Sequence, residues 1–93
     1  MEKIVIDGRT FDGHAISTRN TKVLMIKGER GFLGCGYFSP ATADKVGDAL
    51  AVVTGVGSFD DMLNAPVKAV SVAAEALGVR PGMTGREALL LMA

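Results

Sequence analysis

Apolar and polar positions alternate through the first third of the chain, and this pattern predicts strands. Residues 3–7 (KIVID) form a short strand closed by Asp7-Gly8, and residues 10–18 (TFDGHAIST) form a second. Asp12-Gly13 interrupts the second run, where a bulge or a further turn is expected. Arg19-Asn20 then leads into residues 21–27 (TKVLMIK), in which Val23 and Met25 face one side and Leu24 and Ile26 the other. A strand wet on one side alternates more cleanly, so this segment is either central to the sheet or meets another subunit with its second face. Gly28-Glu29-Arg30-Gly31 supplies a hairpin connection to residues 32–38 (FLGCGYF), completing an antiparallel meander. Gly34 and Gly36 share a face with Phe32 and Phe38 in that last strand, leaving a trough that a helix, another backbone or a ligand could approach.

After residue 38 helices alternate with short strands. Ser39 is a good N-cap, Pro40 suits the first helical position, and Gly47 marks the stop of a helix of about two turns. Residues 49–54 (ALAVVT) read as a strand buried on both faces, and a parallel arrangement with the preceding strand would make the helix a right-handed crossover. Ser58, with Asp61 three residues on, opens a helix over 59–64. Pro66 opens a short strand over 67–70, and residues 71–77 form a helix ending at Gly78. Arg80-Pro81-Gly82 is a turn, and Thr84 with Glu87 makes a capping box ahead of Ala88, Leu89, Leu90 and Leu91. The expected class is α+β, with a mixed sheet: an N-terminal antiparallel β meander followed by alternating helices and short strands. Residues 1–93 are expected to form one domain.

Composition narrows the function classes. A chain of 93 residues should bury roughly 60–70% of its unfolded surface, so its core is small. Hydrophobic residues are 48% of the chain, which favours a homo-oligomer, dimer or tetramer, in which more of that surface is covered. Residues 1–30 carry six basic side chains against four acidic, and the whole chain balances at zero. Neither is the concentrated basic surface of a nucleic-acid binder. One cysteine precludes an internal disulfide, and the start MEKIVIDG lacks an apolar signal core, so a cytoplasmic location is expected. No run approaches the ~20 apolar residues of a membrane span.

Three sets of residues could carry chemistry. Cys35, in Gly-Cys-Gly, and His14, on a strand able to neighbour it, form the one candidate catalytic pair, since a reactive thiol needs a base or positive surroundings. The competing reading is a small buried hydrophobe between glycines. The helix starts at Gly55-Val56-Gly57-Ser58 and Gly82-Met83-Thr84-Gly85-Arg86 could hold a small anion, with Gly55, Gly57, Ser58, Thr84 and Arg86 as its ligands; ordinary capping also explains both. Neither matches a P-loop or dinucleotide fingerprint, and no cofactor is implied. Asp44, Asp48, Asp60 and Asp61 are an acidic set, read as caps or a solvated face in preference to a cation site. Cys35 and His14 are too few for a structural zinc site, which normally uses four ligands.

The run KGERGFLGCGYFSPATADKVGDALAVVTGVGSFDDMLNAPV, with GVRPGMTGREAL near the end, resembles the YunC-like proteins, the family described as domain of unknown function 1805. The likeness spans about Val23 to Leu91 and rests on the combined order of its motifs. The resemblance implies a small α+β domain whose N-terminal β region, here residues 1–30, mediates tetramerisation. It supplies no reaction and no catalytic residue. It directs attention to Gly34-Cys35-Gly36-Tyr37, Gly47-Asp48 and Thr84-Gly85-Arg86-Glu87.

Overall fold

Asp7 and Gly8 both take positive φ, 50° and 79°, and this pair reverses the chain between β1 (Glu2–Ile6) and β2 (Arg9–Ser17). The computed structural model describes residues 1–93. From β2 the chain passes through β3 (Lys22–Lys27), β4 (Phe32–Gly34), α1 (Pro40–Val46), β5 (Leu50–Val52), α2 (Phe59–Asn64), β6 (Ala69–Val70), α3 (Val72–Ala76) and α4 (Gly85–Leu91). The six strands lie in sequence order in one sheet. β1 to β4 are antiparallel, β4 and β5 are parallel, and β6 returns antiparallel to β5. The mixed α+β architecture is therefore the one that the alternation and capping signals predict.

Each face of the sheet has its own cover. The front face carries Ile6, Phe11, Leu24, Ile26, Leu33 and Ala51, which pack with Met62 and Leu63 of α2, Ala74 of α3 and Ala88 and Leu89 of α4 in the main core. On the back, Ala43 of α1 packs with Leu50 and Val52, flanked by Phe32, Phe38 and Ala69. Helix α1 thus covers only the β4–β5 end. Behind β1 to β3 the face is open, and Val5 and Ile16 are 67% and 65% exposed. Both faces of β3 are apolar, but only Leu24 and Ile26 are fully buried, while Val23 and Met25 are half-buried on the back.

Two local expectations change. β2 runs through Asp12 and Gly13 without a bulge, pairing Lys3 with Asp12 and Glu2 with Gly13 on one side and Gly13 with Ile26 on the other. The glycine serves packing: a Cβ there would lie 2.7 Å from Ile4 Cδ1 and 3.0 Å from Phe59 Cζ. The strand predicted over 32–38 ends at Gly34. Phe38 donates its N–H to the Cys35 carbonyl at 3.1 Å, closing a turn. Its ring folds back over Gly34, 5.5 Å from Phe32 in an edge-to-face contact. The trough left by Gly34 is consequently filled by the chain's own Phe38, 2.5 Å from where a Cβ would sit.

Every predicted helix start is present. Ser39, Ser58, Ser71 and Thr84 each accept a backbone N–H with the side-chain oxygen. The C-terminal end of α4 is held by Arg30, whose Nη2 and Nε donate to the Leu91 and Ala93 carbonyls at 2.8 and 3.1 Å. In the α4 capping box Thr84 N–H and hydroxyl donate to Glu87 Oε1 at 2.9 and 3.1 Å. These bonds, the backbone one foremost, hold the Glu87 carboxyl below its usual 4.5. A depressed folded value means the contribution is present above 4.5 and is lost as pH falls through the lower, folded value. We expect the Thr84 amide to lose hydrogen-exchange protection on acidification through that window in wild type but not in Glu87→Gln, which keeps a neutral acceptor. Loss of protection in both would place the pH sensitivity elsewhere.

Candidate functional site

The parallel pair β4 and β5 ends at the same side of the sheet, with Gly34 opposite Val52 and Val53 N–H donating to the Gly34 carbonyl at 3.0 Å. From there the two connections part. The chain leaving β4 goes to α1 on the back, and the chain leaving β5 goes to α2 on the front. Divergent connections leave a crevice outside the carboxyl ends of the two strands, the place where sheets of this kind commonly bind ligands. A cavity of about 330 Å³ lies there, walled on one side by Cys35, Gly36 and Tyr37 and on the other by Gly55 and Val56. β3 closes it, because it extends past β4 and presents Thr21 and Lys22 beside Cys35.

Cys35 forms the floor. It is 5% exposed, its N–H donates to the Leu24 carbonyl at 3.1 Å, and its sulfur accepts the Leu24 N–H at 3.3 Å. Tyr37 stands at the rim, 61% exposed, and its hydroxyl has no partner within the chain. Lys22 makes no ion pair; Lys3 with Asp12, at 2.7 Å, is the pair the chain contains.

The structure does not bring His14 to Cys35. His14 pairs with Met25 and lies on the back of the sheet, whereas Cys35 belongs to the front core, with β3 between their strands. A strand's side chains alternate between faces, so no rotamer of His14 reaches the thiol. On the back His14 neighbours Asp12, whose carboxyl is held below its usual range chiefly by the hydrogen bond from Lys3.

The two helix starts are also separate. Ser58 begins α2, while Thr84 bridges to Pro66 and Gly85 N–H donates to the Ala65 carbonyl, beyond the other end of that helix. Each is supplied with its own carboxylate: Asp61 accepts from Gly57 N–H at 3.0 Å, and Glu87 closes the box at Thr84. Arg86 is exposed and unpaired. Of the predicted anion ligands only Gly55 lines the cavity with Cys35. The acidic residues are dispersed, with Asp44 accepting the Val72 N–H at 2.8 Å, and no three side chains of metal-binding type come together. Lys22 and Thr21 were not marked by any motif, because their place depends on β3 outrunning β4, whereas Val56 fell within the Gly-Val-Gly-Ser helix start. Gly36 and Tyr37 were marked, within Gly-Cys-Gly-Tyr.

Fold and crevice together define a small α+β domain with a parallel β-α-β step at its centre and a cleft at the end of that step. The family model for a domain of unknown function (DUF1805) matches residues 34–92, which include the cleft's Cys35-to-Val56 walls. An uncharacterised protein of Bacillus subtilis, YunC, is 33% identical over 96% of this chain and 92% of its own length. A crystal structure of a protein of unknown function from Thermoplasma acidophilum superposes with a TM-score of 0.94 at 35% identity, covering 99% of this chain and 90% of that one. The chain belongs to the DUF1805 family of YunC-like proteins.

Proposed function

We propose that this protein works as a homo-oligomer, a tetramer in the family's manner, assembled through the open back of β1 to β3. The observation that carries this reading is an uncovered sheet face with apolar cross-strand neighbours. Ile16 pairs with Val23 across β2 and β3 with half-buried Met25 beside them, and Val5 is exposed at the far end of the same face, opposite Thr10. Lys3, Asp12, His14 and Lys27 lie between these two apolar ends, a mixture of signs that a second copy turned about a two-fold axis can answer with opposite charges. A depression of about 380 Å³ at the β3–β4 hairpin, lined in part by Met25, Lys27 and Phe32, borders the same face. No helix is long and apolar enough to cross a membrane, and with its cysteine buried and unpaired the reading keeps the expected cytoplasmic location.

Ile16→Glu tests the assembly. A charge at the centre of a desolvated contact costs about 2 kcal/mol or more, roughly a 30-fold weaker association. Light scattering at micromolar concentration should therefore show a lower mass with unchanged circular dichroism. A folded variant of unaltered mass would overturn the proposal.

A second reading is favoured by the cavity itself. It treats the crevice beside Cys35 as a small-molecule site, whether for binding or for chemistry. Its support is the meeting of the Gly-Cys-Gly-Tyr turn with the Gly55 turn across an open space that the chain's own side chains leave unfilled.

A further inference from the structure

We infer that the crevice at the ends of β4 and β5 binds a small oxyanion, a phosphate or carboxylate group on a short apolar body, through backbone amides of both turns and the Lys22 ammonium. This rests on the small-molecule reading of that crevice and names its ligand.

Cys35 N–H is committed to Leu24, Phe38 N–H to Cys35, and Gly57 N–H to Asp61. Between these, the amides of Gly36, Tyr37, Gly55 and Val56 donate to no group in the chain. Two pairs of successive amides with uncommitted donors therefore belong to the two walls of one cavity. Successive free amides in a turn form a concavity of positive potential, and an anion is the ligand that satisfies several such donors at once. The helix starts differ: there Asp61 and Glu87 already play the anion's part.

Charge agrees with the amides. Lys22 is the charged residue of the cavity lining, and it makes no ion pair, so the crevice carries a net positive charge and no carboxylate to repel an anion. Thr21 and Lys22, at the start of β3, line a third side and bring a hydroxyl and an ammonium as further donors. The remaining lining is apolar or aromatic: Val56, the nearly buried Cys35 and the ring of Tyr37. A volume of about 330 Å³ sits at the lower end of the roughly 300–1,000 Å³ of small-molecule sites, which sets the ligand's size. Cys35 contributes shape here, since its sulfur already accepts the Leu24 N–H.

The test uses the full chain, uniformly labelled with nitrogen-15 and followed by amide chemical shifts. Inorganic phosphate, acetate and neutral isopropanol are titrated separately at constant ionic strength set with chloride. The expected result is a saturable shift of the Gly36, Tyr37, Gly55 and Val56 amides with phosphate or acetate, the tighter of the two identifying the headgroup. Lys22→Gln, a change at an exposed position, should weaken that binding about tenfold, the size of one charge-assisted hydrogen bond. Isopropanol shifting the same amides as strongly as either anion would overturn the oxyanion assignment while leaving the small-molecule site standing. Silence of these amides to all three probes would overturn both. Equal affinity of wild type and Lys22→Gln would remove Lys22 from the site and with it the proposed charge recognition.

Discussion

Gly85→Ala should lose about 3 kcal/mol of stability or more, the upper end of what overpacking costs. A Cβ at this position would overlap the Met62 carbonyl oxygen, with the carbonyl carbon at 3.0 Å and Leu33 Cδ2 at 2.8 Å. The Leu33 methyl can rotate aside, but the carbonyl belongs to the backbone of α2 and cannot. Nor can α4 retreat, because Gly85 N–H donates to the Ala65 carbonyl at 3.0 Å and Thr84 bridges to Pro66. The φ of Gly85 is not positive, so the demand is for space alone. Arg86→Ala is the control, since that exposed side chain has no partner and should stay within about 0.5 kcal/mol of wild type. Urea midpoints at constant slope give both values. A Gly85→Ala cost below about 1 kcal/mol would mean that α2 and α4 separate more easily than their contacts imply.

The same contact explains why Gly-Met-Thr-Gly-Arg-Glu looks like a functional motif in the sequence. Its second glycine spaces two helices, its first turns the chain at φ 95°, its threonine and glutamate form a cap, and Arg86 is left without a structural task. Motif residues used by the fold can be subtracted in this way across the chain. Gly34 accommodates Phe38, and Gly47, at φ 83°, ends α1. Gly36 and Tyr37 remain, and both line the crevice; Gly55, whose φ of 70° turns the chain after β5, lines it as well.

Local chemistry made most of the fold legible. The turn at Asp7-Gly8, the caps at Ser39, Ser58 and Thr84, and the apolar run at 49–54, whose Leu50–Val52 form β5, are each short-range signals that tertiary contacts did not override. The misplaced features depend on side-chain packing that the alternation pattern does not carry. Gly13 reads as a break until Ile4 and Phe59 are seen to occupy its space. Phe38 reads as strand until it turns onto Gly34. The strand expected over 67–70 is paired to β5 only at Ala69–Val70, because Val67 is tied instead to the turn before α4, through Met83 and Gly82. The site divides in the same manner. Cys35 could be found because glycines flank it and Gly55 because it opens Gly-Val-Gly-Ser, and the parallel crossover joins them. Whether His14 faces Cys35 is decided by register, and register set it on the other face of the sheet.

Ser71→Ala is expected to cost about 2–4 kcal/mol, a large part of the roughly 5–14 kcal/mol available to a chain of this size. Ser71 is fully buried, and its hydroxyl uses its whole capacity: it donates to the Asp48 carbonyl at 2.8 Å and accepts from Leu50 N–H at 2.9 Å and Ala74 N–H at 3.3 Å. Losing the cap of α3 accounts for about 1 kcal/mol. The larger share, about 1–3 kcal/mol, comes from the Leu50 amide, which would be left buried without an acceptor. Ser39→Ala removes an exposed cap and no buried bond, so it should cost only the first amount. The difference between the two variants in urea unfolding isolates the buried amide, and equal losses would show that water or a backbone shift satisfies it. Leu50 begins the strand that delivers the Gly55 turn to the crevice, and Ser71 N–H also donates to the Leu50 carbonyl at 2.9 Å. Any softening from Ser71→Ala therefore travels along β5 towards the ligand cleft, and the Gly55 and Val56 amides should shift with it while the β1–β2 hairpin stays unchanged.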